Sequence, residues 1–205
     1  MTMTIYPRRV PPQTGERMSV EAYFQLDATF PDTKYEYLDG VVRLMSGGSA
    51  AHATIAGNIY VGLRLEFRSG PCAVYNSDMR VQVAEGIYYL PDVSVTCNVE
   101  DRRRDAKTVR SPRLVVEVLA PSTEKVDRGE KLQAYQACPT IAEIVLVSQF
   151  APYVEIWRRD EEDEATWRYV HYEAGEEVEF ASLDVRLAMQ DIYQQVNFDE
   201  PLREE

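Results

Sequence analysis

Histidine and cysteine are scarce: the 205 residues hold two of the first and three of the second, and His52, His171, Cys72, Cys97 and Cys138 lie too far apart to compose a zinc-binding spacing. Long apolar runs are missing. The best two, 114–120 and 141–147, are each interrupted by a glutamate and fall far short of the roughly 20 residues that a membrane-spanning helix requires. The first residues, Met1-Thr-Met-Thr-Ile-Tyr-Pro-Arg-Arg, contain no apolar segment of the roughly 7 to 15 residues typical of a secretory signal, which predicts a cytoplasmic protein without a membrane partner. The odd, widely spaced cysteines with apolar neighbours predict reduced thiols that fill the core. Neither a glycine-rich nucleotide fingerprint nor a serine in a nucleophile signature is present.

Basic residues are outnumbered as well, 22 Lys and Arg against 34 Asp and Glu, for a net charge of −12. Such a chain is a poor general match for nucleic acid, whose phosphates are bound by Lys and Arg. The distribution alters that conclusion: residues 155–205 carry 16 acidic and 5 basic side chains, whereas residues 1–154 are nearly balanced at 18 against 17. Arg102, Arg103, Arg104, Lys107, Arg110 and Arg113 concentrate positive charge in one short stretch opposed only by Asp105. It reads either as a solvated loop or as a patch for phosphate contacts led by Arg102, Arg103, Arg104 and Lys107.

A hydrophobic content of 45% and this length suit one globular domain, which buries roughly 70% of its unfolded surface without a disulfide or metal. Residues 1–17, with Pro11-Pro12 and no periodicity, read as a flexible arm, leaving a single domain over 18–205. Ser19 is placed to cap a short helix that ends before Pro31. Asp39-Gly40, flanked by β-forming residues over 35–45, fits a type I′ hairpin. Ser46-Gly47-Gly48-Ser49 is a loop, either a plain turn or a cradle for phosphate, and Ile55, Ile59, Leu63 and Phe67 at i+4 spacing predict a long helix over 50–68. Short strands follow over 73–75, 79–84, 87–90 and 93–97. The run 114–119 is nearly all apolar, as in a strand buried on both faces. A helix over 124–137, strands over 141–147, 153–158 and 166–172 in an antiparallel C-terminal meander, and a short terminal strand with a helical turn complete the chain. The order predicts a mixed α/β domain built on one central sheet.

Glu117 sits at the centre of Leu-Val-Val-Glu-Val-Leu, where an ionised side chain is costly unless paired or bound to metal. Asp92 follows Pro91 at a strand start, so neighbouring strands can bring both carboxylates to one hard divalent cation. The plainer reading pairs Glu117 with Arg113, Arg80 or a backbone amide. Lys131, on the helix after the Glu117 strand, can reach back to orient water and stabilise charge on a phosphate. Its plainer reading is a surface pair with Asp127 at i−4.

Glu36-Tyr-Leu-Asp39-Gly40, Met45-Ser-Gly-Gly-Ser-Ala-Ala-His52, Pro91-Asp92-Val-Ser-Val, Leu114-Val-Val-Glu117-Val-Leu-Ala-Pro-Ser-Thr, Asp127-Arg-Gly-Glu-Lys131 and Tyr135, in this order over about residues 18–193, resemble the Uma2 restriction-endonuclease family of the PD-(D/E)XK nuclease superfamily. The resemblance implies a restriction-endonuclease-like fold, a central mixed sheet flanked by helices, and a catalytic Asp, Glu and Lys around Mg²⁺ or Mn²⁺. Carried over, Asp92 and Glu117 bind metal together with the Val118 carbonyl. The superfamily pattern expects Lys two residues after the second acid, where this chain has Leu119. Lys131 is then the migrated equivalent, with Lys125 in reserve. Glu36 resembles an extra N-terminal acid of such sites, or else is an exposed hairpin carboxylate. His52 matches the family's histidine and is expected on a phosphate or a site carboxylate, or in a structural role at the helix start. The function implied is a metal-dependent endonuclease, a hydrolase of DNA phosphodiester bonds acting as a homodimer. The alternative is a catalytically silent nuclease-fold protein serving as a DNA- or protein-binding accessory dimer. A glycosidase-type carboxylate pair is a third chemistry, which Lys131 disfavours.

Overall fold

The computed structural model describes residues 12–45, 47–160 and 162–199. The Ser19 hydroxyl accepts from the Ala22 amide and opens α1 (Val20–Thr29). β1 (Tyr35–Leu38) and β2 (Val41–Leu44) pair as the expected hairpin, and Asp39 and Gly40 both take positive φ, 44° and 90°, as a type I′ turn requires. α2 (Ala50–Glu66) is capped by Ser49. β3 (Ala73–Asn76), β4 (Arg80–Ala84), β5 (Ile87–Tyr89) and β6 (Val93–Thr96) follow, then a two-residue β7 (Thr108–Val109) inside the basic stretch and β8 (Leu114–Leu119). A continuous helical rod comes next: α3 (Glu124–Val126), a π turn (Asp127–Lys131) and α4 (Leu132–Ala137). β9 (Glu143–Ser148), β10 (Tyr153–Arg159) and β11 (Trp167–Glu173) form the meander, and β12 (Glu177–Phe180), β13 (Val185–Ala188) and α5 (Met189–Ile192) end the chain.

The strands divide between two larger sheets rather than forming one. A six-stranded mixed sheet has the order β11-β10-β9-β8-β6-β3, and a five-stranded one the order β2-β1-β5-β4-β7; β12 and β13 pair alone. β8 and β9 are parallel because the helical rod carries the chain back across the sheet between them. The physical reason for two sheets lies in β8, whose six residues are all buried and which therefore needs cover on both faces. Leu114, Val116 and Val118 pack with Ile55, Ile59 and Leu63 of α2. Val115 and Leu119 pack on the other side with Val81, Val83, Tyr89 and Tyr135, contributed by the second sheet and the rod. Each such aliphatic side chain contributes about 1.5–3 kcal/mol on full burial. Alternation places Glu117 on the face of Val115 and Leu119. The same rule acts on β1: Tyr35 and Tyr37 join Tyr23 and Leu26 of α1, so Glu36 between them turns to the opposite face of its strand.

Two expectations are corrected. Residues 12–17, read as part of a flexible arm, run beside β2: the Gly15 amide donates to the Val42 carbonyl at 2.9 Å and the Val42 amide to the Glu16 carbonyl at 3.0 Å. An edge strand with free backbone groups offers that pairing. Residues 1–11 of the arm lie outside the described residues. Cys72 and Cys97, read as reduced core filler, form a disulfide one step beyond the Ala73–Thr96 pair of β3 and β6; Cys138 is free and buried. Antiparallel register had set the two cysteines opposite each other, which spacing in sequence does not reveal. Among the described residues no helix is long and apolar enough to cross a membrane.

Candidate active site

The register Val93–Val116 of β6 and β8, continued by one residue, sets Asp92 against Glu117. Asp92 Oδ2 accepts from the Val118 amide at 2.8 Å and faces His52 Nε2 at 3.2 Å. His52 is held at the start of α2, where the Ser49 hydroxyl accepts from its amide. Its ring lies against Gly48: a Cβ there would be 2.6 Å from Nδ1, so only glycine leaves the imidazole its place.

The rod supplies the rest. Asp127, Lys131 and Tyr135 are spaced i, i+4, i+8 and therefore share one face, turned toward Glu117. Glu117 Oε1 accepts from the Tyr135 hydroxyl at 2.6 Å and from Lys131 Nζ at 3.1 Å. Lys131 Nζ also meets Glu36 Oε1 at 2.8 Å and Asp127 Oδ1 at 3.5 Å, and Glu36 Oε1 accepts from the Leu90 amide at 3.1 Å. Glu36, Glu117, Asp127 and Lys131 are 6, 4, 3 and 5% exposed. The π turn carries both Asp127 and Lys131; such turns widen a helix locally and recur at functional sites.

Burial and neighbouring charges set the protonation states. Burial pushes the Glu117 carboxyl up to about 8, against the pull of Lys131 and with the help of Asp127, Asp92 and Glu36. Asp127 is raised by burial, again opposed by Lys131. For His52 burial disfavours the imidazolium, but its hydrogen bond to Asp92 and that carboxylate's charge outweigh burial and raise its pKa. Lys131 likewise loses solvation and is still held well above its usual value by Glu117, Glu36 and Asp127.

His52, Asp92, Glu117, Asp127 and Lys131 line a cleft of about 620 Å³ together with Tyr60 and Lys34, while Glu36 stands behind Lys131. Carboxylates outnumber cations here: Asp32, Asp92, Glu117 and Asp127 line the cleft against Lys34, Lys131 and His52. The donors are oxygens, which suits a hard cation. Among the described residues no group of three or more His, Cys, Asp and Glu side chains is placed to hold a metal ion. Mg²⁺ needs none, since it keeps several waters and takes one or two carboxylates.

Asp92, Glu117, Lys131, Glu36 and His52 are thus brought to one place. Glu36 is buried rather than exposed, and Lys125 is exposed on the rod while Lys131 is inside. Val118 lines the cleft. Arg102, Arg103, Arg104 and Lys107 are exposed in the segment that joins the end of β6 to the start of β8, the far end of these strands from Asp92 and Glu117, and none lines the cleft. Tyr135 gains a role that the residue-by-residue reading did not assign, and Asp127, read as a surface partner of Lys131, meets it in the interior. The i, i+4, i+8 spacing with Lys131 was the signal available for both.

The same residues lie within a match to known proteins. The family model described as "Uma2: Putative restriction endonuclease" matches residues 20–190. The chain belongs to the Uma2 family. An uncharacterized protein of Synechocystis sp. is 33% identical over 183 residues, 89% of this Uma2 chain and 94% of that protein. A second uncharacterized Synechocystis protein is 30% identical over 128 residues, 62% of this chain and 72% of its own. A crystal structure described as "a putative nuclease belonging to DUF820", from Anabaena variabilis, superposes with a TM-score of 0.66, covering 81% of this chain and 93% of its own. At 14% identity that likeness is one of fold, and it bears out the expected mixed α/β architecture for this Uma2 member.

Proposed function

We propose that this Uma2 chain is a Mg²⁺- or Mn²⁺-dependent endonuclease that hydrolyses phosphodiester bonds in DNA. The observation that carries the reading is the meeting of Lys131 with Glu117 in the cleft that also holds Asp92, with Glu36 behind the ammonium. Asp92, Glu117 and the Val118 carbonyl would hold the cation, which when bound generates hydroxide from water and offsets charge on the scissile phosphate. Lys131 places a fixed ammonium at the cleft, where it positions water and stabilises the negative charge that builds up during phosphoryl transfer. Glu36, fixed by the Leu90 amide, orients that ammonium. Tyr135 sets the Glu117 carboxylate, and His52 with the Val118 amide sets Asp92. The cations of residues 102–107 stand apart from this centre. Because a duplex needs two cuts, we extend the proposal to a homodimer; β11 is an edge strand with Tyr169 exposed, as a face for a second copy.

The test is cleavage of supercoiled plasmid and of labelled single-stranded DNA with Mg²⁺ or Mn²⁺, wild type beside Asp92→Ala and Lys131→Ala. Metal-dependent cutting lost in both variants is the expected result. Cutting that persists in Asp92→Ala points to a contaminant and removes the assignment. Wild type that binds Mn²⁺ nowhere and cuts nothing is the silent accessory protein instead.

A further inference from the structure

We propose that the cleft takes one DNA strand with its bases unpaired, laid along α2 so that one base stacks on Tyr60, an inference that rests on the nuclease reading above. A duplex turns its phosphates outward, one charge per about 1.7 Å of its axis, and is gripped through Lys and Arg. The cleft offers no row of such cations. No arginine lines it, Lys34 Nζ is paired with Asp78 at 2.8 Å and donates to Ser77 at 2.9 Å, and Lys131 is buried between Glu36 and Glu117. What the walls present instead is the ring of Tyr60 and the apolar side chains of Leu44 and Met45, with Leu44 47% exposed. Aromatic and apolar surface receives the face of a base, which a stacked duplex keeps hidden.

α2 sets out the path. Ile55, Ile59 and Leu63 turn to the core, while His52, Ala56 and Tyr60, spaced i, i+4, i+8, line the cleft with Gly57 beside them. From His52, which touches Asp92, to Tyr60 the helix rises about 12 Å, or about three to four nucleotides at the roughly 3.4 Å rise of one strand. Gly57 supports the same path independently. Its φ is not positive and a Cβ built on it meets nothing within 4 Å, so neither the backbone nor a neighbouring side chain calls for glycine. Inside a helix glycine is destabilising relative to alanine, whereas bare backbone on a cleft wall admits a ligand against the helix. Arg64, exposed one turn beyond Tyr60, holds its guanidinium 6.0 Å from the ring centre, the outer limit of such a contact. It borders the ring and is placed for the phosphate next to the stacked base. In a homodimer each copy takes one strand of an opened duplex.

The experiment measures binding of a labelled mixed-sequence single strand and of its duplex by fluorescence anisotropy in Ca²⁺, then cleavage of both with Mn²⁺, for wild type, Tyr60→Ala, Tyr60→Phe and Gly57→Leu. Wild type is expected to bind the single strand at least about tenfold more tightly than the duplex. Tyr60→Ala is expected to weaken single-strand binding by about 5- to 100-fold, the worth of one base–aromatic stack, and to raise KM at nearly unchanged kcat. Tyr60→Phe keeps the ring and is expected to stay within about twofold of wild type. Gly57→Leu places a side chain in the path of the strand. It is expected to weaken binding about tenfold or more while its melting temperature stays level or rises by about 2–4 °C, since a helix former replaces glycine. Duplex binding as tight as single-strand binding overturns the inference, and so does Gly57→Leu that binds like wild type. Tyr60→Phe that loses binding as fully as Tyr60→Ala also overturns it, because the ring is then not what the base meets. Wild type that binds neither form and cuts nothing overturns the nuclease reading itself, a separate result.

Discussion

A carboxylate at the centre of β8 must be protonated or balanced by cations, and Glu117 stands at that boundary, with burial raising its pKa to about 8 while Lys131 pulls the other way. Between the ordinary value of 4.5 and about 8 the folded chain keeps a proton that the unfolded chain has released. Stability therefore falls as pH rises through this window. Asp127 and His52, both raised, act in the same direction. Metal-free protein is expected to melt higher at about pH 5.5 than at about pH 8.5, with Glu117→Gln flattening the difference, since the amide has no proton to lose. Equal pH slopes for wild type and Glu117→Gln, measured by calorimetry in EDTA, would remove Glu117 as the source. The cost of this residue was legible from its apolar neighbours in sequence. Its partners were legible only as candidates, because Arg80 and Arg113 were as plausible as Lys131; the fold sends Arg80 to Asp27 and Arg113 to the Ser182 carbonyl.

Elements bring these residues together by periodicity, and where periodicity was clear the sequence was readable. Ser19, Asp39-Gly40 and Ser49 each terminate or turn an element as their chemistry predicts. β12 and β7 were not anticipated: β7 has only two residues, and two of the four residues of β12 are glutamates. The disulfide belongs to this scale as well. It closes a 25-residue separation and ties β3 to β6, the strand that follows Asp92. Loop-closure entropy gives such a crosslink about 3–4 kcal/mol. Titration of thiols in the denatured, unreduced protein should find one, that of Cys138, and reductant should lower the melting temperature. Three reactive thiols before reduction would show that the bridge does not form.

For the whole molecule, charge and exposure point the same way. The acid excess is concentrated in the last quarter, while the cleft is built from the first two-thirds of the chain, so the acidic part need not face a polyanionic substrate. The proposed homodimer predicts a solution mass of twice 23.5 kDa by light scattering, and Tyr169→Glu on the exposed edge strand should halve it. A wild-type mass of 23.5 kDa over a broad concentration range would remove the dimer.

The sequence by itself determined the alternation of strands and helices, the hairpin at Asp39-Gly40, the doubly buried strand at 114–119 and the shortlist of Asp92, Glu117, Lys131, Glu36 and His52. Local chemistry suffices for these, because turn geometry, side-chain period and the cost of a buried charge act within a few residues. Tertiary structure alone decided that Glu36 faces inward to Lys131, that Lys125 stays outside, that the basic stretch lies at the far strand ends, that Cys72 and Cys97 meet, and that Asp127 is buried with Lys131. Each depends on register and on how one sheet covers another, relations between distant segments that no local pattern records.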